Sequence, residues 1–353
     1  MPGRRGRAAR GGRFSVLLAA TSMLALTSGA PAADPATGTP PEIRLSTALG
    51  PAYPQGKAGE VWARLIRERS NGRLAVRHYP GATLFQRDAT REFAALRDGS
   101  ISLAVGSALA WSPDLVELNV FALPWLVRDG AALDALVASP VGAALAARLE
   151  PMGIVVVGWS ANGFRELASR RPVQSPGDLA GLRVRAPALE LLYDTLAALR
   201  AVPLRMSAGA ARTAALGDSL DAEETTIGSF RASRAASSGL DHLQLWGAHA
   251  DALVFAVNRR AWEALAPDDQ ALVRQTAADA AAEASALRER LSGAAALGDA
   301  GRLGAIVTRL TPAGKEAFRN ATRGVYERWA AIIGADLVGE AEAAASASVD
   351  APR

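Results

Sequence analysis

The chain of 353 residues contains no cysteine. That absence excludes disulfides, thiolate chemistry and a lipid-anchor cysteine. Histidine is scarce as well: His78, His242 and His249 are the only three, and they fall in no triad pattern. His249-Ala-Asp251 has no second ligand pair at metal-binding spacing, so no metal or other cofactor is expected. Long hydrophobic runs are missing too. The stretch 14–26 has thirteen residues, too few for a bilayer that needs about 20.

The basic surplus is only nominal. Lysine and arginine exceed the acids by 39 − 35 = +4, but Arg4, Arg5, Arg7, Arg10 and Arg13 sit among the first 33 residues, which hold no acid. The remainder carries 34 − 35 = −1, which gives no support for nucleic-acid binding. A basic start, the short apolar run and Ala30-Pro31-Ala32 together read as a signal peptide cut near Ala32 or Ala33, with export to the periplasm. Arg4-Arg5 lacks the rest of a twin-arginine pattern. Roughly 320 residues follow, long for one domain, so two lobes are expected.

Strand and helix patterns alternate along this remainder. Residues 42–47 alternate polar and apolar, as half-buried strands do, and 74–79 reads as a second strand closed by Pro80-Gly81. Residues 57–69 and 88–98 have helical spacing, the second stopping at Gly99, and 101–105 is a buried strand. The pattern returns with strands at 154–158, 183–186, 219–222 and 252–257, and helices at 189–199 and 208–216. Wholly apolar strands imply cover on both faces, and the order implies an α/β fold with a largely parallel sheet. A helix over 267–291, about 37 Å long at 1.5 Å per residue, exceeds one lobe. Beyond Gly339 no apolar stripe is evident, and a frayed tail is expected.

Two arginines stand out. Arg165 follows Asn162-Gly-Phe in an expected loop, and Arg185 lies on the strand 183–186, after a helix start at Ser175-Pro-Gly-Asp178. A guanidinium fork meets a carboxylate through two charge-assisted hydrogen bonds, so the pair points to capture of an organic acid. The structural alternative ties both arginines to Glu166, Asp178 or Glu224. Trp159 either lines a cleft beside Arg165 or packs in the core, whereas Trp125, Trp246, Tyr326 and Trp329 read as scaffold. Enzyme motifs fail in detail. Gly158-Trp-Ser-Ala-Asn162 has Asn where a nucleophile elbow needs its second Gly. Gly50 and Gly56-Lys57 are a residue too far apart for a P-loop and are followed by Ala58, not Ser or Thr. That segment reads as a turn and helix start at a cleft mouth.

An ordered set of motifs spans nearly all of the mature chain: Tyr79-Pro-Gly81, Leu96-Arg-Asp-Gly99, Phe121-Ala-Leu-Pro124, Asn162-Gly-Phe-Arg165, Asp178-Leu-Ala-Gly-Leu-Arg-Val-Arg-Ala-Pro187, Ala215-Leu-Gly-Asp-Ser-Leu-Asp221 and Val257-Asn-Arg-Arg-Ala-Trp262. In this the chain resembles the solute-binding proteins of TRAP (tripartite ATP-independent periplasmic) transporters, of the dicarboxylate-receptor (DctP-like) type. The resemblance implies a two-lobed periplasmic-binding-protein fold, type II-like, with a long helix spanning both lobes. It implies a leader over 1–33, lobe one from 34–162 with about 251–290, and lobe two from 163–250 with about 291–338, before the tail 339–353. It puts Arg185 where the family's arginine pairs with the ligand carboxylate, and Arg165 where a second arginine supports it. Thr225 stands where Asn is usual, with Glu224 beside it. Glu223 replaces a neutral residue, and either favours a ligand with a donor group or braces an arginine. Ala48, Gly106, Ala188 and Ala208, where sugar-acid receptors carry polar contacts, favour a small mono- or dicarboxylate. The partners implied are that ligand and the small and large membrane subunits of a TRAP permease, with no catalysis. The alternatives are a ligand-binding input to a signalling receptor and a secreted serine hydrolase built on Ser160.

Overall fold

The computed structural model describes residues 41–206 and 208–347. The signal-peptide region lies outside them. From Pro40 onward the chain forms one compact unit. Its centre is a nine-stranded sheet: β1 Ile43–Thr47, β2 Val76–Pro80, β3 Leu103–Ser107, β4 Ile154–Ser169, β5 Arg183–Ala186, β6 Val202–Arg205, β7 Ala222–Thr225, β8 His242–Asn258 and β9 Ile306–Arg309. The strand order is β2-β1-β3-β8-β4-β7-β5-β6, with β9 on β8.

Two long antiparallel strands join two halves. In β4 and β8, residues 154–161 pair with 252–258, and there β8 also takes β3 as a neighbour. Further along, residues 163–169 of β4 pair with β8, while β7 and β9 complete that end. The flanking strands β1–β2, β1–β3, β5–β6 and β5–β7 are parallel. The expectation of a largely parallel sheet therefore holds for the flanks and fails for the central pair.

Three other expectations are corrected. The segment around Arg165 is strand, not loop, because β4 runs on as far as Ser169 through irregularities at Val156/Gly158, Ala161/Gly163 and Arg165/Leu167. Gly163 supports one of them at φ +116°, a conformation that a side chain would strain. The strand expected at 219–222 begins at Ala222, since Asp221 is spent on bonds to Arg183. The expected frayed tail is instead the helix Ala335–Ala347, with Leu337, Val338, Ala341 and Ala345 buried. Beyond Gly339 the buried residues are alanines, which pack closely without reading as strongly apolar, and residues 348–353 of the expected tail lie outside the described residues.

The core explains the apolar strands. In β8, Leu253, Phe255 and Val257 point into a cluster with Trp62, Ile66 and Val273, while Ala252, Val254 and Ala256 face a second cluster with Phe121 and Leu133. Period-two alternation thus buries both faces. The helix Pro267–Ser292, close to its expected bounds, spans the halves. Near its start the Trp62 indole donates to the Val273 carbonyl, 3.2 Å; near its end Leu291 lies by Gly228 of the opposite half. No single helix among the described residues is long and apolar enough to cross a membrane.

Candidate functional site

A cavity of about 680 Å³ opens where the two halves meet. It lies at the carboxyl ends of β5 and β7, where Pro187, Thr225 and Thr226 line it, the usual ligand position in open α/β sheets. Leu49, Tyr53 and Pro54 line its opposite wall, at the turn that starts the helix Pro54–Arg69, as expected of a cleft mouth.

The two arginines are built differently. Arg183 begins β5 and is held by Asp221, whose oxygens accept from the Arg183 amide and guanidinium at 2.8 Å. That hydrogen bonding drops the Asp221 carboxyl to about 2. Two residues on, and so on the same face, Arg185 lines the cavity. Its Nε donates to the Met206 carbonyl at 3.2 Å, and among the described residues it makes no ion pair. Burial lowers the Arg185 pKa; Glu223 and Glu224 oppose this, and the like charge of Arg165 adds to it. A half-buried guanidinium that lines a cavity with its Nη groups unbonded among the described residues suits an anion.

Arg165 is already paired. Its Nε and Nη2 both donate to the Glu224 carboxylate, which is 1% exposed. Burial opposes the Arg165 charge, but Glu224, Asp251 and Glu223 outweigh it and raise its pKa. The structural alternative weighed for both arginines therefore describes Arg165 and not Arg185. Asp178 instead accepts from the Gln174 and Ser175 amides, and Glu166 accepts from the Gly247 amide at 3.0 Å. Burial raises Glu166 to about 8.

Around this pair stand Asn162 and Asp251, which the sequence reading left without a role in the site, and Thr225 and Glu223, which it placed there. Asn162 lines the cavity and donates to Asp251 at 2.7 Å. Asp251 also accepts from the Ser107 hydroxyl and the Leu109 amide, tying β3, β4 and β8 at their crossing. Nothing local in the sequence signals this, since the partners are far apart along the chain. Thr225 is buried, and its hydroxyl makes only a long bond of 3.4 Å to the Thr226 carbonyl. Glu223 also lines the cavity, and burial raises its carboxyl above the usual range.

Other expected positions fall elsewhere. Trp159 is not among the lining residues; its ring packs on Phe121 at 5.6 Å and closes over Gly142, because β4 alternation turns it into the core. Gly106 faces Trp111, which a Cβ there would meet at 2.1 Å, and it is Leu49 and Pro187, not Ala48 and Ala188, that line the wall. The Ala208 side chain lies outside the described residues. Ser160 sits within β4, with its hydroxyl 3.2 Å from the Ala281 carbonyl and the Ser285 hydroxyl, not on a strand-to-helix elbow.

Residues 45–331 match the family model for bacterial extracellular solute-binding protein, family 7 (DctP). The chain belongs to that family. A solved TRAP periplasmic solute-binding protein from Ralstonia eutropha H16, with bound (S)-2-acetolactate, is 42% identical. The match covers 87% of this chain and 99% of that one, at a TM-score of 0.82. The C4-dicarboxylate-binding periplasmic protein DctP of Rhodobacter capsulatus is 29% identical, the match covering 49% of this chain and 52% of the relative. An uncharacterised Sinorhizobium fredii protein is 28% identical, over 81% of this chain and 52% of the relative. The matches thus span about half the length of these two curated relatives. The two-lobed α/β fold is that of the TRAP-type family 7 proteins, and the Ralstonia and Rhodobacter relatives are solute-binding proteins.

Proposed function

We propose that this protein is a periplasmic receptor that closes its lobes on a small organic acid and hands it to the small and large membrane subunits of a TRAP permease, without catalysing a reaction. Arg185 carries the reading: a guanidinium inside the cavity, on a strand, with no counter-ion of its own. A ligand carboxylate entering the cavity loses water, and a bidentate cation compensates for that loss. Arg165, Glu224 and Thr225 form the wall beside it, the Arg165–Glu224 pair serving as a rigid support and the Thr225 hydroxyl as a further partner for a carboxylate oxygen. Two lobes, near residues 34–162 with 251–290 and 163–250 with 291–338, would meet across this cavity and bury the ion pair on closure. The Ralstonia relative holds an acid with one carboxylate, one hydroxyl and one keto group, whose single negative charge one guanidinium such as that of Arg185 would balance. The leader at residues 1–33 would direct the chain to the periplasm.

A thermal-shift panel of C3 to C6 acids tests the reading. A ligand at 100 times its Kd is expected to stabilise the receptor by about 2.7 kcal/mol. Shifts with neutral sugars or amines, and none with carboxylates, would contradict it.

A further inference from the structure

Glu223 and Arg185 are register partners on the parallel strands β7 and β5. Paired residues of adjacent strands stand side by side on one face, about 4.8 Å apart. Both line the cavity, yet among the described residues no ion pair joins them within 4.0 Å, and Glu223 has no hydrogen-bond partner. Both side chains are half-buried, and a partly desolvated carboxylate without a donor beside a guanidinium without a carboxylate leaves both open to a ligand. Arg165 gives its Nε and Nη2 to Glu224 and makes no ion pair with Glu223. Arg185 and Glu223 thus stand side by side as a cation and an acceptor without an ion-pair partner among the described residues, on a lining that also carries Arg309 and Lys315.

We infer that Glu223 selects monocarboxylates that carry a hydrogen-bond donor, hydroxyl or ammonium, on the carbon next to the carboxylate. This rests on the reading of Arg185 as the carboxylate anchor. A carboxylate on Arg185 places its neighbouring carbon towards β7, where Glu223 accepts from the donor. An acid without that donor leaves Glu223 desolvated and unbonded. A second carboxylate in the same place meets a like charge.

Calorimetric titration of the purified protein with matched C4, C5 and C6 sets (the plain acid, its 2-hydroxy and 2-amino forms and the dicarboxylate) tests this. At the best-fitting length, a donor-bearing acid is expected to bind at least about tenfold more tightly than the plain acid and the dicarboxylate, as a hydrogen bond to a charged group implies. Glu223→Leu removes that preference. Glu223→Gln keeps it for a hydroxyl, which the amide oxygen accepts, and loses it for an ammonium, so this variant tells the two donors apart. Equal binding of plain and donor-bearing acids, or a preference that survives Glu223→Leu, would overturn the role of Glu223 and leave Arg185 as anchor. Binding of no acid in any set would overturn the anchor itself.

Discussion

Removing the Arg165 side chain leaves Glu224 buried without its counter-charge, and breaking such a pair costs about 3–5 kcal/mol. Arg165→Ala should accordingly lower the urea midpoint of the ligand-free protein. Arg185→Ala leaves no acid stranded in a bidentate pair and should barely move it. Equal losses from the two variants would contradict the distinction between a support and an anchor. Buried acids add a pH signature. Burial raises Glu166 to about 8 and Glu92 to about 7, both from an ordinary 4.5. The fold thus favours their protonated forms, and their stabilisation is complete below about 4.5 and lost as pH rises towards 8. Each group titrating in this way removes about 1.4 kcal/mol per pH unit. Urea midpoints are expected to fall between pH 5 and 8.5, and to fall less in Glu92→Gln with Glu166→Gln; an unchanged slope in the double variant would refute the assignment. The stability from Asp221, with a carboxyl at about 2, is lost only as pH drops below the ordinary carboxylate range, outside this window. Arg185 was legible because its strand has a clear pattern and ends at Pro187. The Arg165–Glu224 pair was legible only as one of several possible ion pairs.

At the scale of elements, local signals served well where one strand or helix is sufficient to itself. Ser175-Pro-Gly-Asp178 does form a capping box on a short 3₁₀ turn, and the helix Pro267–Ser292 ends within a residue of its expected bound. Elements that depend on distant partners were harder to read. β4 and β8 reach 16 and 17 residues because each serves both halves, and their outer portions contain His, Gly and Asn that alone suggest turns. Gly163 is the test position. At φ +116°, Gly163→Ala forces a strained backbone at a cost of about 1–3 kcal/mol and shifts Asn162 and Arg165 together. Lower thermal stability with weaker ligand binding is the expected result; a neutral substitution would mean that the irregularity is dispensable. The helix Ala335–Ala347 offers a second test. Leu337 and Val338 are 3% and 4% exposed, and burial of two such side chains contributes roughly 3–6 kcal/mol. A chain ending at Gly334 should melt well below the full chain. Equal melting temperatures would show that this packing is not stabilising.

The whole molecule places its site where neither half could make one alone. β5 and β7 bring Arg185, Glu223 and Thr225; β4 brings Asn162 and Arg165; the turn before the helix Pro54–Arg69 brings Leu49 and Tyr53. That juxtaposition is a property of topology, which explains why Asp251 and the Glu166–Gly247 bond escaped a reading of motifs, and why Trp159, adjacent to the site in sequence, turned out to pack in the core. The central claim is that the free guanidinium of Arg185 grips the ligand carboxylate. Calorimetry of the best acid against wild type, Arg185→Ala and Arg185→Lys tests it most directly. A loss of about 2–5 kcal/mol is expected for the Ala variant, with Lys also impaired because the bidentate fork is gone; wild-type affinity in Arg185→Ala would contradict the account.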